Sequence, residues 1–152
     1  MINRGDRAPD FSAEDQNGNV VNLSHYAGKR LVLYFYPKDD TPGCTAEACD
    51  LRDNHAALLS KGFAVVGVSR DPVKSHRKFA DKFSLPFPLL ADVDGDICEA
   101  YGVWGKKKFM GREYMGINRT TFIISPTGII EEVIIKVDTK EPTRQVLEVL
   151  GL

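Results

Sequence analysis

The residue best placed for chemistry in this chain is Cys44. It closes the run Thr41-Pro42-Gly43-Cys44. Thr is favoured just before a helix, and Pro has a φ already suited to the first helical position. Cys44 is therefore expected in a first helical turn, where backbone N–H groups lack helical partners and the helix dipole places partial positive charge. Both favour thiolate over thiol, and the thiolate is the form that attacks electrophiles. Cys49 follows five residues later. Across five residues of regular helix two Cα atoms lie ~8.6 Å apart. A disulfide needs less than ~7 Å, so the two can pair only if the helix start unwinds. On spacing alone, Cys49 is equally readable as an inert helical residue.

The other candidates are weaker. Cys98 follows Asp94-Gly95-Asp96-Ile97 and reads as a buried neighbour of Ile97 and Tyr101; a second resolving thiol is the minor alternative. No second Cys or His pair stands at ligand spacing, so no metal is expected. His25, His55 and His76 are scattered and read as surface residues or satisfied local contacts. His55 lies ~16 Å along a continuous helix from Cys44, too far for a Cys–His dyad. Trp104 reads as a packing residue. Lys106-Lys107-Lys108 reads as a solvated loop, with docking of a reductant as the lesser reading.

Positioning Cys44 requires a scaffold, and the apolar pattern supplies one. Leu31–Tyr36 is a continuous apolar run rich in strand formers, the pattern of a strand buried on both faces. Pro37 ends it. A helix is expected from Thr41 to about Ser60, with Gly62 as its stop. Ala64–Ser69 is a second strand, so the helix joins parallel strands in a βαβ unit. The sequence further predicts a hairpin over Ser12–Gln16 and Asn19–Leu23 around Asn17-Gly18. A helix is expected over Asp71–Phe83, a strand over Leu89–Ala91 and a short helix over Asp94–Tyr101. Val103–Asn118 reads as a loop. Strands Thr120–Ile124 and Ile129–Val137 follow, joined tightly enough to be antiparallel, and then a helix over Glu141–Leu150. This order predicts an α/β protein: a mixed sheet flanked by helices, with the layout of the thioredoxin fold plus an N-terminal hairpin and a central insertion.

The composition bounds what this scaffold does. A length of 152 residues with 43% hydrophobic content is enough for one self-supporting core, so one domain spanning 1–152 is expected. The formal net charge is −1, which argues against a nucleic-acid or anionic-membrane surface. Three cysteines exclude a stapled secreted scaffold. The N-terminus lacks a signal-peptide pattern, and no apolar run approaches the ~20 residues of a membrane span. The expected compartment is the cytoplasm, where thiols stay reduced.

The segment Pro37-Lys38-Asp39-Asp40-Thr41-Pro42-Gly43-Cys44 matches the Pro-x-x-x-Thr-x-x-Cys pattern of the peroxiredoxins. The surrounding YFYPKDDTPGCTAEACDLRD resembles the Q type, also called the bacterioferritin comigratory protein family. The resemblance extends to GDRAPDFS near the start, VVGVSRD at Val65–Asp71, YGVWG at Tyr101–Gly105 and RTTFIIS at Arg119–Ser125. It implies that Cys44 is the peroxidatic cysteine, whose thiolate attacks a peroxide and becomes a sulfenic acid. Thr41 would hydrogen-bond thiolate and peroxide. Arg119 would stabilise the thiolate and hold the peroxide oxygens, and Glu47 would orient Arg119. Pro37 would shield the site from water, and the Gly43 and Cys44 amides would donate to the developing charge. Cys49 would be the resolving cysteine, forming an intramolecular disulfide that a thioredoxin-like or glutaredoxin-like reductant reopens. A monomer without cofactor is implied, and a short C-terminus after Leu150 offers no tail for subunit exchange. The competing reading is a thiol-disulfide oxidoreductase on the same fold, disfavoured by the missing Cys-x-x-Cys.

Overall fold

The structure is a computed structural model describing residues 1–152. Its centre is a five-stranded mixed sheet. Strand β3 (Arg30–Phe35) runs parallel to β4 (Phe63–Ser69), which runs parallel to β5 (Leu89–Ala91). On the other side β3 pairs antiparallel with β8 (Thr120–Ile124), and β8 with β9 (Ile130–Ile134). The order across the sheet is β5-β4-β3-β8-β9, so β3 is central. Its apolar run is continuous because both faces are covered. Leu31, Leu33 and Phe35 enter one core, and Val32 and Tyr34 enter the other. The period-two geometry of a strand divides them in this way.

The two cores are roofed differently. The Val32 and Tyr34 face packs against α1 (Pro42–Asp53), α2 (His55–Ser60), α3 (Val73–Phe83) and α5 (Pro142–Val149), through Leu51, Leu58, Phe79 and Val146. The opposite face packs against α4 (Asp96–Tyr101) and the N-terminal segment, through Ala8, Phe11, Ile97 and Tyr101. Helices therefore flank a mixed sheet on both sides, as the element order predicts. An N-terminal hairpin of β1 (Ser12–Glu14) and β2 (Val20–Asn22) is present. Its turn is closed by the Asp15 carboxylate, which accepts from the N–H groups of Asn17 and Asn19.

Two expectations need correction. The helix expected to run to about Ser60 breaks at Asn54, giving α1 and α2. The Asn54 side-chain amide donates to the Asp50 carbonyl at 2.9 Å, and its own backbone N–H uses the same acceptor. Asn competes for backbone groups in this way and so interrupts helices. Val103–Asn118 is not a loop. It holds β6 (Trp104–Phe109) and β7 (Arg112–Ile117), an antiparallel hairpin. Met110 and Gly111 form its two-residue turn, both at positive φ. That is the turn geometry that matches strand twist, reached here without the usual Asn-Gly or Asp-Gly dipeptide.

Candidate active site

Strand β3 ends at Phe35, and residues 36–41 carry the chain over to the start of α1. Thr41 occupies the capping position with extended backbone, φ −105° and ψ 155°, and Pro42 opens the helix. The first helical hydrogen bond runs from the Thr45 N–H to the Thr41 carbonyl, 2.8 Å. Cys44 is the third residue of the helix, and its amide and that of Gly43 precede this bond. One expectation fails in detail. The Thr41 side chain makes no capping bond; its hydroxyl donates to the Lys38 carbonyl at 2.9 Å. The residues ahead of the helix fold tightly enough to bring that carbonyl within reach.

Cys44 is buried and its sulfur is a free thiol. Arg119, immediately before β8, donates from Nη2 to the sulfur at 3.2 Å and from Nη1 to Glu47 Oε1 at 2.7 Å. The rigid fork of one guanidinium thus joins the thiol and the carboxylate. Gly43 leaves room for this approach. A Cβ there would stand 3.2 Å from Arg119 Nη2.

The electrostatics form one coupled set. Glu47 is fully buried, and its second carboxylate oxygen has no hydrogen-bond partner. Burial pushes its carboxyl up to about 7, against the opposing pull of Arg119. Burial opposes the charge on Arg119 too, yet Cys44 and Glu47 together hold its pKa above the ordinary value. Beneath them lies Tyr34, whose buried hydroxyl also lacks a partner. Burial first, then the Glu47 and Cys44 charges, raise its pKa well above the ordinary phenol.

The remaining expected residues are more dispersed. Pro37 is half-buried and lines a groove of 520 Å³ with Arg70, Trp104, Lys107, Tyr114 and Met115. Trp104 is a packing residue in part, with the Arg70 guanidinium 4.5 Å from its ring centre. Lys107 is not merely solvated: its Nζ donates to the Ile117 carbonyl at 2.8 Å. Its pKa is lowered, by burial first and then by Arg119. Cys49 is partly buried on α1, reduced and separate from Cys44. Cys98 is buried on the far face of the sheet, where burial and Asp92 push its thiol up.

The histidines divide. His25 is exposed, and His55 packs against the Phe87 ring at 5.8 Å. His76 is fully buried and bonded to Asp39, which belongs to the segment leading into α1. Sequence reading missed Tyr34, Asp39 and His76 as neighbours of the site. A buried Tyr in a two-faced strand carries some signal, because its hydroxyl needs a partner. The Asp39–His76 contact spans 37 positions and leaves no local trace.

A buried cysteine in the first turn of a helix, bridged by arginine to a buried carboxylate on a thioredoxin-type sheet, is an arrangement suited to thiol redox chemistry. The AhpC/TSA family matches residues 4–133. The peroxiredoxin Bcp of Escherichia coli K12 is 49% identical over 132 residues, 87% of this chain and 85% of its own. The peroxiredoxin Bcp of Bacillus subtilis is 46% identical over 149 residues, 98% of this chain and 95% of its own. A structure of the Xanthomonas campestris bacterioferritin comigratory protein, which concerns its alkyl peroxide reduction activity, superposes with TM-score 0.86. It is 38% identical and covers 93% of this chain and 90% of its own. The chain belongs to the AhpC/TSA family as a peroxiredoxin of the Q or Bcp type, a thiol peroxidase. No helix is long and apolar enough to cross a membrane.

Proposed function

We propose that Cys44 is the peroxidatic cysteine and Cys49 its resolving partner, within one domain over residues 1–152. The single observation that carries this reading is Arg119 Nη2 at 3.2 Å from Cys44 Sγ, held there by Glu47. A guanidinium so placed stabilises the thiolate and offers fixed donors to a peroxide that displaces part of the contact. The thiolate attacks one peroxide oxygen, the S–O bond forms and the O–O bond breaks. The departing oxygen leaves as water or alcohol once protonated, and Cys44 is left as a sulfenic acid. The amides of Gly43 and Cys44 face the charge that develops. Because the Thr41 hydroxyl hydrogen is spent on the Lys38 carbonyl, Thr41 meets the peroxide as an acceptor and orients its O–H. Pro37 keeps bulk water from the sulfenic acid.

Resolution follows when the first turn of α1 unwinds. The Cys49 thiolate attacks the Cys44 sulfur, an S–S bond forms and the sulfenic oxygen leaves as water. A thioredoxin-like or glutaredoxin-like dithiol returns two electrons by exchange. The substrates are hydrogen peroxide and organic hydroperoxides, and the working form is a cytoplasmic monomer. No cofactor or metal takes part in these steps.

The test couples peroxide consumption to thioredoxin and its reductase, with free thiols counted after one equivalent of peroxide. Cys44→Ser is expected to abolish turnover. Cys49→Ala is expected to react once and form no intramolecular disulfide. Turnover that survives Cys44→Ser, or equal loss of a thiol pair in Cys49→Ala, overturns the respective assignment.

A further inference from the structure

The segment carrying Thr41 is gripped by a buried polar network. Asp39 is at its centre. One Asp39 oxygen accepts from the Tyr36 hydroxyl at 2.6 Å; the other accepts from Ser75 at 2.8 Å and faces His76 Nδ1 at 2.7 Å. The Asp39 backbone N–H donates to the Asp71 carboxylate at 2.8 Å, and that carboxylate is fixed by the Ser69 hydroxyl at 2.7 Å. His76 Nε2 lies 2.9 Å from the Leu90 carbonyl. A carbonyl only accepts, so Nε2 carries a hydrogen. A ring nitrogen 2.7 Å from a carboxylate oxygen also requires a proton between the two atoms. His76 therefore ties Asp39 to β5 through hydrogen bonds on both ring nitrogens.

This network ends on a catalytic hydroxyl. The Asp39 N–H and the Lys38 carbonyl belong to one planar peptide unit. Asp71 holds one end of that plane, and the Thr41 hydroxyl bonds to the other. Between them Asp40 sits at φ 54°, a left-handed conformation that a non-glycine residue adopts at some strain. Lys82 on α3 pairs with its carboxylate at 2.8 Å. A strained turn keeps its shape only when its surroundings over-determine it.

We propose that His76, acting through Asp39, is a positioning residue for peroxide reduction: it fixes the Lys38–Asp39 peptide that directs the Thr41 hydroxyl. The inference rests on the role given above to Thr41. It separates His76 from the groups assigned to the sulfur, since Arg119, just before β8, contacts Cys44 and is held by Glu47 on α1, and neither makes a hydrogen bond to this network.

Two near-isosteres test it. His76→Asn keeps an amide donor near the Nδ1 position facing Asp39. His76→Gln keeps one near the Nε2 position facing Leu90 and loses Asp39. Two second-order rates are read on reduced protein by stopped flow: oxidation of Cys44 by hydrogen peroxide and its alkylation by iodoacetamide. Alkylation needs the thiolate but no oriented peroxide. His76→Gln is expected to slow oxidation about tenfold or more, and His76→Asn less than about threefold, with alkylation unchanged in both. Asp71→Ala, at a partly buried position, frees the same peptide and is expected to show the same selective loss; it decides the matter where His76→Gln does not fold. Oxidation at the wild-type rate in His76→Gln and Asp71→Ala overturns the proposal. Alkylation falling in parallel with oxidation overturns it as well, because the network would then act on the whole site. Thr41→Val tells this failure from failure of the underlying reading: if it oxidises at the wild-type rate, the role of Thr41 itself is wrong.

Discussion

At the scale of single residues, the site is a problem of shared charge. Arg119 serves two acidic groups, Cys44 and Glu47, and the second oxygen of Glu47 has no hydrogen-bond partner. Its carboxyl, ordinarily near 4.5, sits at about 7 because burial outweighs the arginine. A carboxyl with a raised folded pKa binds its proton more tightly folded than unfolded. Its favourable contribution is complete below about 4.5 and is lost as pH rises through about 7. Glu47→Gln removes this dependence. The melting temperature of the variant relative to wild type is expected to climb by about 3 °C or more between the two pH values and then level off. A difference that stays flat with pH would show that Glu47 is ionised throughout. Cys44 itself was legible in the sequence, because Thr-Pro-Gly-Cys after an apolar strand is a local pattern. Arg119 was legible only through family resemblance, since nothing local ties it to a cysteine 75 positions away. His76 was not legible as part of the site at all: its partner Asp39 is brought to it by the packing of α3 against the sheet.

At the scale of elements, what matters is how firmly the first turns of α1 are held. Further along, α1 is anchored by Ala48 and Leu51 in the core and by the Asp50 carboxylate, which accepts from the Thr143 N–H at the start of α5. The first turn has Cys44 as its main core contact, together with the Arg119 bridge. In the proposed cycle, oxidation of Cys44 changes the sulfur that Arg119 contacts, so the first turn is the expected place of unwinding. Ala46, partly buried and the fifth residue of α1, just past this turn, offers a direct probe. Ala46→Gly lowers helix stability there by about 1 kcal/mol, equivalent to up to about fivefold in a rate limited by unwinding. Disulfide formation, followed by acid quench and thiol counting, is expected to accelerate by that order while peroxide attack does not. An unchanged resolving rate would mean that unwinding is not the slow event. Element boundaries were less legible than element types. The break at Asn54 depends on one amide choosing the Asp50 carbonyl. The β6–β7 hairpin was hidden by a lysine run on its exposed strand and by an unusual Met-Gly turn.

At the scale of the whole molecule, the central sheet separates two chemistries. Cys44 and Cys49 lie on α1, which covers one face of the sheet; Cys98 sits with Leu33, Phe35 and Tyr101 in the core of the other. Its N–H donates to Asp92 at 2.8 Å, and both burial and that carboxylate keep the thiol protonated. A protonated thiol is a poor nucleophile. To meet Cys44 it would have to cross a five-stranded sheet whose central strands are closed on both faces. In the proposed cycle the odd cysteine count resolves into a redox pair on α1 and a packing residue on α4, a division set by the opposite faces of the sheet that these helices cover rather than by cysteine spacing. Cys98→Ala is expected to lower unfolding free energy by about 1–2 kcal/mol, read from chemical denaturation, because it leaves a small cavity in a close-packed core. Peroxide turnover and the count of thiols lost per peroxide should stay at the wild-type value. A variant that keeps its stability but loses turnover would place Cys98 in the redox cycle and require the sheet to open during catalysis.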